Sequence, residues 1–245
     1  PDSSEVFYVG SWFDGLHKFN GTKYVGNYNE SNSNLAIQWC MMDGFSRFDA
    51  DGNLWTLMVN NSKHDNTLLS CLPADKKIKD PAAVTAGDWV TYDVGANLSF
   101  TCNLMVCQKS PYVFVIHGKQ VSPTRITVLN RNTGEMRIFS TFPDQDGGSS
   151  GNGVLYFYTA EEDNNGDVWV GTSAGPIILS NLSNIMNSNY RCTRVKVPRN
   201  DGTNYADYLL EDESVNDIVV DGANRKWLAT SSSGLYLVNE NGTEI

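Results

Sequence analysis

Asp163-Asn-Asn-Gly-Asp-Val-Trp169-Val-Gly-Thr-Ser-Ala-Gly175-Pro-Ile-Ile-Leu179 is the stretch whose reading decides the fold. An acidic residue opens a Gly/Asn turn, an aromatic strand follows, small residues form a hairpin, and an apolar run closes the unit. The order recurs in Asp221-Gly-Ala-Asn-Arg-Lys-Trp227-Leu-Ala-Thr-Ser-Ser-Ser-Gly234, which runs on into Leu235-Tyr-Leu-Val238. Asp49-Ala-Asp-Gly-Asn-Leu-Trp55 repeats the first half. In each of the three, an Asp stands six residues before a Trp.

Working outward, a fourth copy opens the chain. Val6-Phe-Tyr-Val-Gly10 leads to Leu16-His-Lys-Phe19, with Tyr8 in the Trp position. A degenerate fifth copy is Tyr112-Val-Phe-Val-Ile116, followed by Thr124-Arg-Ile-Thr-Val-Leu129 and the turn Asn132-Thr-Gly134, with Phe114 as its marker. The intervals from Tyr8 through Trp55, Phe114 and Trp169 to Trp227 are 47, 59, 55 and 58 residues. Known propeller blades run about 40–50 residues, so these carry enlarged loops.

Each copy reads as four short antiparallel strands, the last a weaker one such as Lys23-Tyr-Val25 or Met136-Arg-Ile-Phe139. Such a sheet cannot bury both faces alone, and stacking sheets face to face with the aromatic between them solves this. The expectation is an all-β chain, a single β-propeller segment over 1–245. Its blades fall at roughly 4–30, 36–94, 97–140, 154–200 and 208–245. The first copy lacks a first strand and the last a fourth, which predicts an incomplete or truncated six- to seven-bladed ring. Open edges of this kind make self-association a hazard. The best helical candidate is Asn204–Glu211, where Tyr205, Tyr208 and Leu209 share a face, though so short a stretch reads equally as a turn or irregular loop.

A net charge of -10 makes nucleic acid and anionic membrane surfaces poor partners. No apolar run reaches the ~18 residues of a spanning helix, so no membrane insertion is expected. The five cysteines cannot all pair within one chain, and no Cys or His pair has metal-ligand spacing. They read as buried small apolar side chains, with room for one disulfide in an oxidising compartment. His17, His64 and His117 are scattered, and no Ser sits in a nucleophile elbow. Gly52 stands fourth in Asp49-Ala-Asp-Gly-Asn53, where a calcium loop needs Gly sixth, so Asp49, Asp163 and Asp221 read as turn caps. No metal, cofactor or catalytic set is expected. Glu161-Glu-Asp163 and Glu211-Asp-Glu213 read as solvated loops. Trp12 and Asp14 in the first hairpin, with Trp39, are the ligand-binding candidates, since exposed aromatics stack on sugars or anchor partners. Trp89 reads as packing between blades, and packing is also the plainer reading of Trp39.

The motif resembles the repeat of the two-component regulator propeller family. Trp169-Val-Gly-Thr172 fits its aromatic strand fully, Trp227-Leu-Ala-Thr230 has Ala229 for Gly, and Trp55-Thr-Leu-Met58 loses Gly-Thr. Val197-Pro-Arg-Asn-Asp-Gly-Thr-Asn-Tyr-Ala-Asp-Tyr-Leu-Leu210 and Ile218-Val-Val-Asp-Gly-Ala-Asn-Arg-Lys-Trp227 are similar to the propeller of PorZ-like cell-envelope proteins of the Bacteroidetes. That resemblance implies a non-enzymatic periplasmic or cell-surface propeller. It would bind a protein partner or a surface polysaccharide, in the setting of type IX secretion and anionic lipopolysaccharide. The alternatives are the periplasmic glycan sensor of a hybrid two-component system and, third, a propeller lyase or hydrolase.

Overall fold

The computed structural model describes residues 5–11, 14–35, 40–41, 46–57, 59–60, 68–95, 102–118, 124–148, 154, 156–199 and 201–244. The chain divides into two compact units, Pro1–Phe100 and Thr101–Ile245. The fold is all-β and its sheets are propeller blades.

In the first unit the strands are β1 (Val6–Gly10), β2 (Leu16–Asn20), β3 (Lys23–Tyr28), β4 (Cys40–Met41), β5 (Ser46–Phe48), β6 (Leu54–Leu57), β7 (Val59–Asn60), β8 (Leu68–Leu72) and β9 (Val90–Asp93), with a one-turn helix α1 (Ala74–Lys77). Antiparallel pairing gives one sheet in the order β1-β2-β3 and another in the order β5-β6-β8-β9, while β4 pairs with β7. Apolar side chains of the two sheets and their connections meet face to face: Leu16, Tyr28 and Leu35 against Leu54, Leu72, Val84 and Trp89. Trp89 is buried edge-on against Tyr28, ring centroids 5.4 Å apart, so it packs between blades.

The second unit holds β10 (Asn103–Val106), β11 (Tyr112–Ile116), β12 (Ile126–Asn130), β13 (Met136–Phe139), β14 (Phe157–Glu162), β15 (Val168–Thr172), β16 (Gly175–Leu179), β17 (Lys196–Pro198), β18 (Ala206–Tyr208), β19 (Val215–Val220), β20 (Lys226–Thr230) and β21 (Leu235–Val238). Its sheets run β10-β11-β12-β13, β14-β15-β16 and β19-β20-β21, joined by a β17-β18 hairpin. The β14-β15-β16 sheet has a fourth strand reduced to one bridge, where Thr193 and Ile178 exchange two backbone bonds of 2.8 Å. The first strands β10, β14 and β19 are neighbours. Asn103, Thr159 and Asp217 link them through side-chain bonds of 3.4 Å.

Two glycine contacts explain the repeat. A Cβ on Gly171 would lie 2.4 Å from the Val215 carbonyl oxygen, so the Gly of Trp-Val-Gly-Thr is what lets the next sheet approach. A Cβ on Gly175, at φ 78°, would lie 2.2 Å from the Leu209 carbonyl oxygen. Ala229 occupies the Gly171 position in β20, two residues after Trp227.

Residues 204–211 are not helical. Ala206–Tyr208 is a strand, held to Lys196–Pro198 in register and by an Arg199–Asp207 ion pair across the hairpin. One apolar turn cannot offset the nucleation cost of a helix, whereas a paired strand is satisfied at once.

Candidate ligand-binding cleft

The two-residue alternation of a strand builds the site. On β1, Val6 and Tyr8 share a face; opposite them on β2 stand Asn20 and Lys18, in register Val6↔Asn20 and Tyr8↔Lys18. These four side chains form one wall of a cleft of about 390 Å³. In β3, Lys18 pairs with Gly26 and Phe19 with Tyr24, leaving Val25 as the extra residue of a bulge that also lines the cleft. Phe48, at the end of β5, and Lys77–Asp80, from the last residue of α1 onward, supply the opposite wall.

The lining carries three ammonium groups, Lys18, Lys77 and Lys79, against one carboxylate, Asp80. Lys18 is 6% exposed and donates to the carbonyls of Lys77 at 2.7 Å and Lys79 at 2.9 Å. Burial pushes its pKa down, which Asp80 partly offsets. Lys77 is also pushed down by burial, with Asp49 opposing, and its ammonium lies 4.5 Å from the Phe48 ring centroid. Asp80 is engaged as a cap, accepting from the Ala82 amide at 2.9 Å. Tyr8 meets Phe48 edge-on at 5.8 Å and stacks on Tyr28 at 6.3 Å. Burial pushes both phenols up, Tyr28 to about 12, and the two hydroxyls face each other. Ile78 is 78% exposed at the rim.

Of the candidates read from sequence, only Asp14 is among the described residues. Asp14 sits in the β1–β2 hairpin, its amide bonded to the Ser11 hydroxyl and its carboxylate 3.6 Å from His17. Trp12 and Trp39 lie outside the described residues. The cleft residues were missed because each alone is an ordinary strand or turn residue. The cross-strand pairing of a lysine with the tyrosine in the repeat slot was the available signal.

The turn residues form a separate, structural set. In Asp49, Asp163 and Asp221 one carboxylate oxygen accepts two backbone amides of its own turn at 2.9–3.1 Å. The second oxygen takes the indole N–H of Trp55 at 2.8 Å and of Trp169 at 3.3 Å, but in Asp221 it takes Arg225 Nε at 2.7 Å. Asp144 makes a fourth such turn with Asp146 and Gly148, hidden in the sequence because no aromatic follows it. The acidic run Glu161–Asp163 is not a solvated loop. Glu162 ends β14 and accepts the amides of Gln108 and Lys109, and Asp163 is 3% exposed beside Lys226, which is 0% exposed, at 3.0 Å.

Of the five repeat markers, Trp55, Phe114 and Trp169 are buried, Tyr8 is half-buried, and Trp227 is 36% exposed. Cys71, Cys102, Cys107 and Cys192 are buried, and burial pushes the last three thiols to about 12. Among the described residues no three His, Cys, Asp or Glu side chains converge as a metal site, and no helix is long and apolar enough to cross a membrane.

Stacked antiparallel sheets with aromatic-marked second strands define a β-propeller with a ligand-sized cleft between two blades. Among solved structures, the chain is similar to PorZ, described as an essential bacterial surface component of the type-IX secretion system of Porphyromonas gingivalis. The TM-score is 0.75 at 23% identity, over 99% of this chain and 32% of that one. It is also similar to the dihydro-heme d1 dehydrogenase NirN, with a TM-score of 0.56 at 12% identity over 98% of this chain and 42% of that one. A third is the extracellular domain of a putative one-component system of B. thetaiotaomicron, with a TM-score of 0.54 at 12% identity over 95% and 25%. The chain thus spans less than half the length of each. No protein-family model and no curated protein matches it.

Proposed function

We propose that residues 1–245 form a non-enzymatic propeller segment of the cell envelope, periplasmic or surface-exposed, that binds a macromolecular partner or a surface polysaccharide. The observation that carries this reading is the cleft: a cationic, aromatic-walled concavity of about 390 Å³ on a chain of net charge -10. Its volume lies in the range of about 300–1,000 Å³ usual for ligand sites. Two rigid sheets set its walls, so a ligand meets a preformed surface. Its polar groups suit holding rather than chemistry, since Lys18 and Asp80 are engaged with backbone. The likeness in fold to PorZ supports the envelope setting.

The test is thermal shift of the chain against purified envelope polysaccharides and candidate partner proteins, beside a Lys77→Glu/Lys79→Glu variant. A true ligand raises the wild-type midpoint, and charge reversal abolishes the rise. Ligands that stabilise both proteins equally would place binding away from the cleft and overturn this reading.

A further inference from the structure

Hydrogen-bonding capacity inside the cleft separates the two ligand classes. A sugar ring presents several hydroxyls, each needing a partner when buried. Few acceptors here stand open, namely the second carboxylate oxygen of Asp80 and the side-chain carbonyl of Asn20. The carbonyls of Lys77 and Lys79 receive Lys18, and one oxygen of the Asp80 carboxylate receives Ala82. Asn20 is the one side-chain amide in the lining. A buried hexose would leave hydroxyls unmatched.

Donors, by contrast, are in surplus. The third N–H of Lys18 and the ammonium groups of Lys77 and Lys79 have no hydrogen-bond partner among the described residues. Lys18 is more than nine-tenths buried, so its charge acts in a setting where a counter-ion is worth more than in water. Around these donors the wall is hydrocarbon: Val6, Val25, Ile78 and the rings of Tyr8 and Phe48. An acceptor-only group on an apolar body satisfies both halves at once.

We propose that the cleft binds a carboxylate carried on an aromatic or branched aliphatic group, the chemistry of a free aryl or branched-chain acid and of the carboxy-terminal Phe, Leu or Ile of a protein. This rests on the cleft being the binding site proposed above. The carboxylate faces Lys18 and Lys77, and the apolar body lies between Phe48, Val25 and Ile78.

Titration calorimetry of the 245-residue chain uses N-acetyl-phenylalanine, its primary amide, glucuronate and the peptide Gly-Ala-Phe. The acid should bind about tenfold or more tighter than the amide, the difference a charge-assisted hydrogen bond makes. Glucuronate should bind weakest. Lys77→Gln/Lys79→Gln should remove most of the preference for acid over amide. Phe48→Ser should weaken acid and amide alike, while both variants keep the wild-type circular dichroism. Gly-Ala-Phe binding as well as the small acid assigns the site to chain ends; its exclusion with the small acid still bound assigns it to free acids. Equal binding of acid and amide, or glucuronate binding above N-acetyl-phenylalanine, overturns the proposal. If none of the four binds while a polysaccharide gives a cleft-dependent thermal shift, this inference falls and the proposed function stands. If nothing binds at the cleft at all, both fall.

Discussion

At the scale of residues, Gly171 shows how one missing Cβ sets the spacing of two sheets. A methyl group at this position would lie 2.4 Å from the Val215 carbonyl oxygen and 2.8 Å from Thr159 Cγ2. Neither atom can yield cheaply, because Val215 starts β19 and Thr159 is buried in β14. Gly171→Ala should therefore destabilise the chain by about 1–3 kcal/mol, the usual cost of overpacking. Urea unfolding measures it, and the mirror change Ala229→Gly should cost no more than about 1 kcal/mol, the entropy of an added glycine. Equal effects at both positions would mean that sheet contact is not what the glycine serves. This residue was legible in the sequence, since Trp-Val-Gly-Thr carries it openly. The cleft was not. Lys18 and Lys77 stand 59 positions apart, and their meeting depends on the packing of two sheets. Tryptophans such as Trp12 stand out because residue type is visible in a sequence and concavity is not.

At the scale of elements, neighbouring sheets are joined by lysines reaching across to backbone carbonyls. Lys18 reaches Lys77 and Lys79 and Lys109 reaches the Asp163 carbonyl at 3.0 Å, while Lys226 donates within its own sheet to the Glu240 carbonyl at 2.7 Å. Lys226 also pairs with the Asp163 carboxylate and lies 4.7 Å from the Trp169 ring centroid. Around it Asn165 and Asn224 donate to Glu240, fastening the turns before β15 and after β21. Lys226→Met keeps the bulk but leaves Asp163 buried without its cation, which should cost about 3–5 kcal/mol in urea unfolding. Burial alone would raise the Asp163 pKa, yet the Lys226 bond and the turn amides outweigh it and hold the carboxyl below its usual range. A depressed folded pKa stabilises at all pH above the unfolded value near ~3.9 and loses that contribution as pH falls through the folded value. The urea midpoint of the wild type should accordingly fall below about pH 4, and that of Asp163→Asn should fall less over the same interval. Parallel acid slopes would separate this pair from acid stability. The strands themselves were legible as apolar runs between Gly and Asn turns. The hairpin at 196–208 was not, because Tyr205, Tyr208 and Leu209 fit a helical face as well as a strand, and only the pairing of Lys196–Pro198 with Ala206–Tyr208 decides between them.

At the scale of the whole molecule, charge and exposed apolar surface oppose one another. On the first sheet Phe7, Phe19 and Tyr24 form a cross-strand aromatic row, on the face away from the cleft, with Phe7 stacked on Phe19 at 5.1 Å. Phe7, Val9 and Tyr24 are exposed there, as are Val219, Trp227 and Leu235 on the β19-β20-β21 sheet. Contiguous apolar faces of this kind favour association. A net charge of -10 on every copy resists it over a Debye length, which shrinks from roughly 20 Å at 20 mM salt to about 4 Å at 500 mM. Screening removes the repulsion and leaves the apolar attraction intact, so self-association should strengthen with salt. In sedimentation velocity the weight-average coefficient should rise with protein concentration, more steeply at about 500 mM than at about 20 mM NaCl. Phe7→Lys/Leu235→Lys should hold the chain monomeric at both, with its thermal midpoint within about 2–4 °C of wild type because both side chains face solvent. Association that weakens with salt would instead assign it to ion pairs between copies.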